Sequence, residues 1–163
     1  IKLSDLLGIL AASSRLSGII APILVISVTL SQAFVMVGVT DAFSQYLTSI
    51  TSSPMPLILM MMLIILIVGM FLEATPAMLI LTPLFAPIAA SLGMDIVHFG
   101  VVMVVGLSIG FITPPLGLNL FVASAVGGVP VHRVVQYALP HIFALILVWL
   151  LVAFWPPLSM LLV

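Results

Sequence analysis

Polar positions are sparse along this chain, and where they fall divides it into units. A helix that crosses a hydrocarbon core needs about twenty apolar residues, and one that enters and stops needs fewer. Residues 1–16 pattern as a short amphipathic helix at an interface, with Ser4 placed to cap it and Leu6, Leu7, Ile9 and Leu10 on its apolar side. Residues 17–38 are long enough to span, with Pro22 near the entrance. Their polar set of Ser27, Thr29, Ser31 and Gln32 favours protein neighbours over lipid. In residues 40–53, Phe43, Tyr46, Leu47 and Ile50 recur at helical spacing, which predicts a second interfacial helix acting as an arm. Together 17–53 read as a scaffold helix plus that arm.

Residues 54–93 form an apolar run too long for one crossing, cut near its middle by Glu73-Ala74-Thr75-Pro76. Two full helices with a tight turn, or two shorter helices in a re-entrant hairpin, would both satisfy that length. The cut carries one acid and no basic or Gly/Asn-rich loop, which favours the hairpin. Residues 96–127 are a second interrupted run, broken by Thr113-Pro114-Pro115 and Gly117, where two prolines remove two backbone donors. Residues 54–128 thus form one unit with two breaks. In 129–163, residues 130–140 look interfacial and 141–162 span again as a final scaffold helix, ending in Trp155-Pro156-Pro157.

Composition makes the chain an integral membrane protein: of 163 residues, 64% are hydrophobic and 4% charged, against about a quarter charged in soluble domains. Three Lys+Arg against four Asp+Glu leave neither a nucleic-acid footprint nor a polybasic membrane-surface segment. The absence of cysteine excludes disulfides and thiolate metal sites. The opening IKLSDLLGIL has no initiator Met and no signal-peptide pattern, so a piece of a longer polypeptide is expected. With a hairpin at 54–93, Lys2, Arg15 and Arg133 share one side and Asp41 and Asp95 the other. The positive-inside rule then makes the basic side cytoplasmic.

Backbone polar groups in hydrocarbon must be satisfied, so broken helices at membrane depth persist only inside protein or beside a water-filled cavity. Paired breaks recur as midplane sites where half-helix N-termini attract anions and freed oxygens hold Na⁺ or accept protons. Here they offer Glu73 and Thr75 on one side, and Thr113, Asn119 and the carbonyls of Gly110 to Pro114 on the other. All are oxygen donors, suited to a hard monovalent cation, and no histidine pair has transition-metal spacing. Plainer roles compete. Glu73 can cap the second half-helix, line a cavity or sit in a solvated turn, and Thr75 is divided between N-cap and ion ligand. Ser108 and Ser124 read as packing residues, the Met60–Met62 run as core, and His98, His132 and His141 as interfacial anchors. No zinc-protease, phosphate-loop or nucleophile-elbow motif is present, so an enzyme is not expected.

The segment GLSIGFITPPLGLNLFVASAVGG (106–128), with FLEATPAMLILTPLFAPIAASLGMDIVHFGVVMV (71–104), strongly resembles the large (permease, DctM-like) subunit of tripartite ATP-independent periplasmic (TRAP) transporters. The likeness extends over essentially the whole chain and falls on the C-terminal part of that subunit. It implies an all-α integral membrane fold: one inverted repeat of an elevator-type, Na⁺-driven transporter, with a re-entrant hairpin (54–93), a broken helix (96–127) and interfacial helices. Carried over by motif, the Na⁺ and substrate residues would be Glu73, Ala74, Thr75 and Pro76 at the tip, and Gly110, Thr113, Pro114, Gly117 and Asn119 at the break. Na⁺ itself would lie at Thr75, Gly110, Thr113 and Asn119. One departure is Gly106, where the family often carries Asn, which bears on any side-chain contribution there and on the substrate class.

The resemblance further implies no cofactor beyond Na⁺ as coupling ion. The implied partners are the remainder of the large subunit (its first repeat), a small four-helix membrane subunit, a periplasmic substrate-binding protein and the lipid bilayer. The implied location is a bacterial or archaeal inner membrane, and the implied substrates are organic acids such as C4-dicarboxylates or sialic acid. Two other readings remain: a binding-protein-independent Na⁺/carboxylate carrier or ion antiporter of related fold, and a non-transporting membrane scaffold.

Overall fold

The computed structural model describes residues 3–51 and 53–161. Lys2 and the side chains of Ser4 and Leu7 lie outside the described residues. The described residues form eight helices: α1 (Leu3–Met36), α2 (Val39–Ile50), α3 (Pro54–Phe71), α4 (Ala74–Ser91), α5 (Ile96–Gly110), α6 (Leu118–Gly127), α7 (Val131–Phe154) and the single turn α8 (Pro157–Met160). Four of them, α1, α3, α4 and α7, are long and apolar enough to cross a membrane.

Two boundaries differ from those read in the sequence. The break at residue 16 is absent, because α1 runs unbroken through Ser17, Gly18 and Pro22 for 34 residues, about 51 Å. A helical glycine costs only about 1 kcal/mol, and with no water to solvate a freed backbone, helix remains the cheaper state. The segments 130–140 and 141–162 are likewise not separate: α7 continues through Pro140 and stops at Phe154, eight residues before the expected end. His141 donates from Nδ1 to Tyr137 O at 3.0 Å, while the carbonyl that Pro140 leaves without its helical donor is that of Gln136. The helix ends at Trp155-Pro156-Pro157, whose consecutive prolines cannot continue its hydrogen bonding.

α5 is the central helix. Eight of its 15 residues are buried, on two stripes that face α3 and α4 on one side and α7 on the other. α3 meets it with Leu57, Met61, Ile65 and Gly69, four residues apart. α4 presents Ala77, Leu81, Leu84, Phe85 and Ile88 as a helical stripe. α2 packs on α4 through Phe43, whose ring meets that of Phe85 edge to face at a centroid distance of 5.6 Å. The predicted α2 face therefore splits: Phe43 and Leu47 turn inward, while Tyr46 and Ile50 remain exposed.

The relative heights of these helices follow from a few contacts. His98 of α5 meets Ala153 of α7, and four residues on, Val102 meets Trp149, so α5 and α7 are antiparallel. Gly128, Val129 and Pro130 alone join α6 to α7, and the two pack together. α5, the break and α6 therefore run end to end along α7, whose 24 residues extend about 36 Å. Ile58 of α3 and Leu92 beyond α4 share a cavity with His98 and Ala153, which sets the open ends of the two arms at one level. This is the base of the unit. At the other end Gly69 abuts Leu107 and Gly110, so the α3–α4 tip stands beside the break. The ten residues of α6, about 15 Å, extend past it.

Candidate functional site

The chain reverses at the tip in two extended residues. Leu72 N–H donates to Val68 O at 2.9 Å and closes α3. Glu73 follows at φ −62°, ψ 148°, and α4 begins at Ala74. The Glu73 carbonyl accepts from Ala77 N at 3.2 Å, but its carboxylate makes no capping bond and is exposed. Side-chain capping, one of the roles open to it, is therefore not what the structure contains. Pro76 lies in the first turn of α4, where a missing N–H costs nothing. The reversal belongs to Leu72-Glu73, and the proline does not end α3. Thr75 is exposed and borders a groove of about 300 Å³ formed with Met78, Leu79, Thr82 and Pro83.

At the break α5 tightens before it stops. Ile112 N donates to Ile109 O at 3.2 Å and Thr113 N to Gly110 O at 2.8 Å, both three-residue turns of the 3₁₀ type. The Pro114–Pro115 peptide is cis. Gly117 takes φ +40°, and a Cβ there would stand 2.9 Å from Thr113 O, so only glycine fits that left-handed corner. Across the gap, Asn119 N donates to Phe111 O at 3.4 Å. Thr113 Oγ1 donates its proton to Ile109 O at 2.6 Å, so its lone pairs remain able to accept. The Asn119 side chain is exposed.

The structure brings Gly110 against the hairpin through Gly69: a Cβ on Gly110 would stand 2.7 Å from Gly69 Cα and 2.7 Å from Leu66 O. Glu73, Ala74, Thr75 and Pro76 share the tip, and Thr113, Pro114, Gly117 and Asn119 share the break. The groove beside Thr75 belongs to α4 alone and none of the break residues lines it, so Thr75 is not joined there to Thr113 or Asn119. Neither segment contains a basic residue. Within these two segments, attraction for an anion comes from the N-terminal ends of α4 and α6. Among the described residues no cluster of three His, Asp or Glu side chains is placed to hold a metal ion.

Four features were missed or misread in the sequence. Gly69 lies inside a uniform apolar run, and only its being glycine hints at the close crossing. Gly106, the departure from the resembled motif, is buried against the Trp149 indole, whose Nε1 donates to Val102 O at 2.7 Å. The space an Asn side chain would need there is occupied. His98 is no interfacial anchor: it is 2% exposed and held by Ala153 and Ser159, whereas His132 and His141 are exposed. Ser108 is exposed and bonds only its own helix, so it does not pack between helices.

A family model described as the DctM component of tripartite ATP-independent periplasmic transporters matches residues 1–158. The C4-dicarboxylate TRAP transporter large permease protein of Pseudomonas aeruginosa is 35% identical over 159 residues, 98% of this chain and 37% of that protein. The sialic acid TRAP large permease of Vibrio cholerae is 39% identical over 119 residues, 73% of this chain and 28% of that protein. An isethionate TRAP permease protein of Oleidesulfovibrio alaskensis is 40% identical over 122 residues, 75% and 19% respectively. The chain thus spans well under half the length of these relatives, which are permeases rather than enzymes. Two interrupted apolar helices meeting at Gly69 and Gly110, on a chain that the family model matches almost from end to end, place this protein in the DctM-component family of TRAP transporters.

Proposed function

We propose that this chain is the part of a large permease subunit that carries the second re-entrant hairpin and its facing broken helix. In that role it imports an organic acid by Na⁺-driven elevator motion. The observation that carries the reading is the height of the tip. Leu72-Glu73 stands beside the α5–α6 break, while α6 and the first ten or so residues of α7 continue about 15 Å further. A hairpin of two full crossings would reach the far surface with them. A re-entrant one stops at the depth where α5 stops, and does so with exposed Glu73, Thr75 and Asn119.

Glu73, Ala74, Thr75 and Pro76, with Gly110, Thr113, Pro114, Gly117 and Asn119, form the half-site, and Na⁺ lies against oxygens of Gly110, Thr113 and Asn119 at the break, with Thr75 lining a separate groove on α4. The donor set supports this, since it is entirely oxygen and a monovalent cation asks for nothing else. The relatives' names span a C4-dicarboxylate, sialic acid and isethionate, all anions. With no basic residue at either break, an anion depends on half-helix N-termini and on the coupling ions themselves. The first repeat, a small membrane subunit and a periplasmic binding protein complete the machine in an inner membrane. Arg133 stands at the end of α7 away from Asp95 and the base, which fits a cytoplasmic Arg133 and a hairpin opening to the periplasm. Packing also favours grouping α7 with the moving half-site rather than the scaffold, because Trp149 and His98 join it tightly to α5.

The test is uptake of radiolabelled organic acids into proteoliposomes containing the complete permease, with and without an inward Na⁺ gradient and a cognate binding protein. Uptake that requires both is expected. Uptake needing Na⁺ alone would replace this reading with a binding-protein-independent carrier. None from correctly folded protein would leave a scaffold.

A further inference from the structure

The first turns of α7 are two-sided. Val131, Val134 and Ala138 are half-buried, whereas Arg133, Gln136 and Tyr137 are exposed, Tyr137 to 77%. These three stand at i, i+3 and i+4, so their side chains form one surface patch. It offers a guanidinium fork, a carboxamide N–H and a phenol hydroxyl, all of which donate. Such a set suits phosphate oxygens, which a guanidinium meets two at a time.

The depth of the patch follows from the aromatics of α7. Tyr137 and the exposed Trp155 are eighteen residues apart, about 27 Å along a helix. That matches a hydrocarbon core of about 30 Å with an aromatic at each border. Between them Leu139, Phe143, Leu147 and Leu151 recur every four residues, all exposed, on the side of the helix that also carries Arg133 and Gln136. Arg133 lies four residues outside Tyr137, about 6 Å further out, and the headgroup zone is about 5–7 Å deep on each side. The guanidinium therefore sits at the depth of lipid phosphates, above an apolar stripe where the chains of the same lipid can lie.

Charge selects among lipids. No described carboxylate shares this level. Asp95 caps α5 at the base. Asp41 is two residues before Phe43, which meets Phe85 in the base-side half of α4. Glu73 at the tip stops about 15 Å short of the patch. A zwitterionic headgroup brings an ammonium that finds no acid here and is repelled by Arg133, whereas a headgroup charged only at its phosphate brings none.

We propose that Arg133, Gln136 and Tyr137 form a headgroup site for an anionic phospholipid, with the phosphate on Arg133 and the acyl chains along Leu139 and Phe143. Because Trp149 and His98 join α7 to α5, a lipid seated here is attached to the body that carries the break. The site rests on placement and charge, and holds whether or not the transport reading does.

The experiment is native mass spectrometry of the complete permease, delipidated in detergent and titrated separately with phosphatidylglycerol and with phosphatidylethanolamine of the same acyl chains. Phosphatidylglycerol should bind about fivefold more tightly, at one saturable site. Arg133→Gln should abolish that preference, and Tyr137→Phe should weaken phosphatidylglycerol binding about threefold. Arg15→Gln, which removes the same charge from an exposed position on α1, should change neither. A photoreactive phosphatidylglycerol should label α7 between Val131 and Phe143. Equal affinity for the two lipids, equal losses in Arg133→Gln and Arg15→Gln, displacement by inorganic phosphate, or labelling confined to other segments because the rest of the subunit covers this face would each overturn the site. Should Arg133→Gln fail to fold, the lipid preference and the labelling of the unaltered permease still decide.

Discussion

The base and the tip of the α3–α4 hairpin are built on opposite principles. At the base, Asp95 caps α5 through Val97 N and His98 bridges α5 to α7 and α8; between base and break, Trp149 fills the room left by Gly106 while bonding Val102 O. At the tip, neither α4 nor α6 has a side-chain cap, and Glu73, Thr75 and Asn119 are exposed. One end satisfies its polar groups internally, and the other leaves them for something else to satisfy. α5 thus joins a closely packed base to a break whose polar side chains are exposed, with the Gly69–Gly110 crossing beside it.

The sharpest way to break this contrast is at Trp149. Trp149→Ala should cost about 3–5 kcal/mol of stability in denaturant unfolding of the purified permease; a loss under about 1 kcal/mol would mean the α5–α7 seam that leads from the base to the break is not closely packed. Gly110→Ala comes next, because its Cβ would meet Gly69 and Leu66 backbone rather than a yielding side chain. Overpacking there should cost about 1–3 kcal/mol, and Gly69→Ala added to it should worsen the loss rather than relieve it. At the break, Thr113→Ala and Asn119→Ala should leave expression and assembly intact and weaken Na⁺ activation of uptake about tenfold, equivalent to about 1.4 kcal/mol. An unchanged Na⁺ dependence in both would remove these residues from the ion site. The smallest contrast compares two residues at helix N-cap positions. Asp95→Ala should destabilise by about 1 kcal/mol, while Glu73→Ala should stay within about 0.5 kcal/mol, since its carboxylate caps nothing.

Much of the fold was legible because breaks in a membrane helix require strong local signals. Glu73 to Pro76 and Thr113 to Gly117 stood out from apolar runs, and the helices end within a few residues of them. The continuity of α1 and α7 was not legible, because Ser17-Gly18 and Pro140 look like boundaries to a rule made for water. In the bilayer a helix carries such residues onward, since the alternative is unpaired backbone. For the half-site, the residue types at tip and break were readable, but their grouping was not. The groove beside Thr75 turned out to be α4's own.

Composition and periodicity by themselves determined that this chain is an all-helical membrane protein with two interrupted runs, because hydrophobicity over twenty residues and proline at depth leave few alternatives. Only the tertiary structure decided that His98 is interior, that Trp149 replaces a side chain at Gly106, and that the tip stops beside the break. Those facts depend on which faces of distant helices meet. Gly69 and Gly110 are forty-one residues apart in the chain, and no local pattern encodes that their backbones touch.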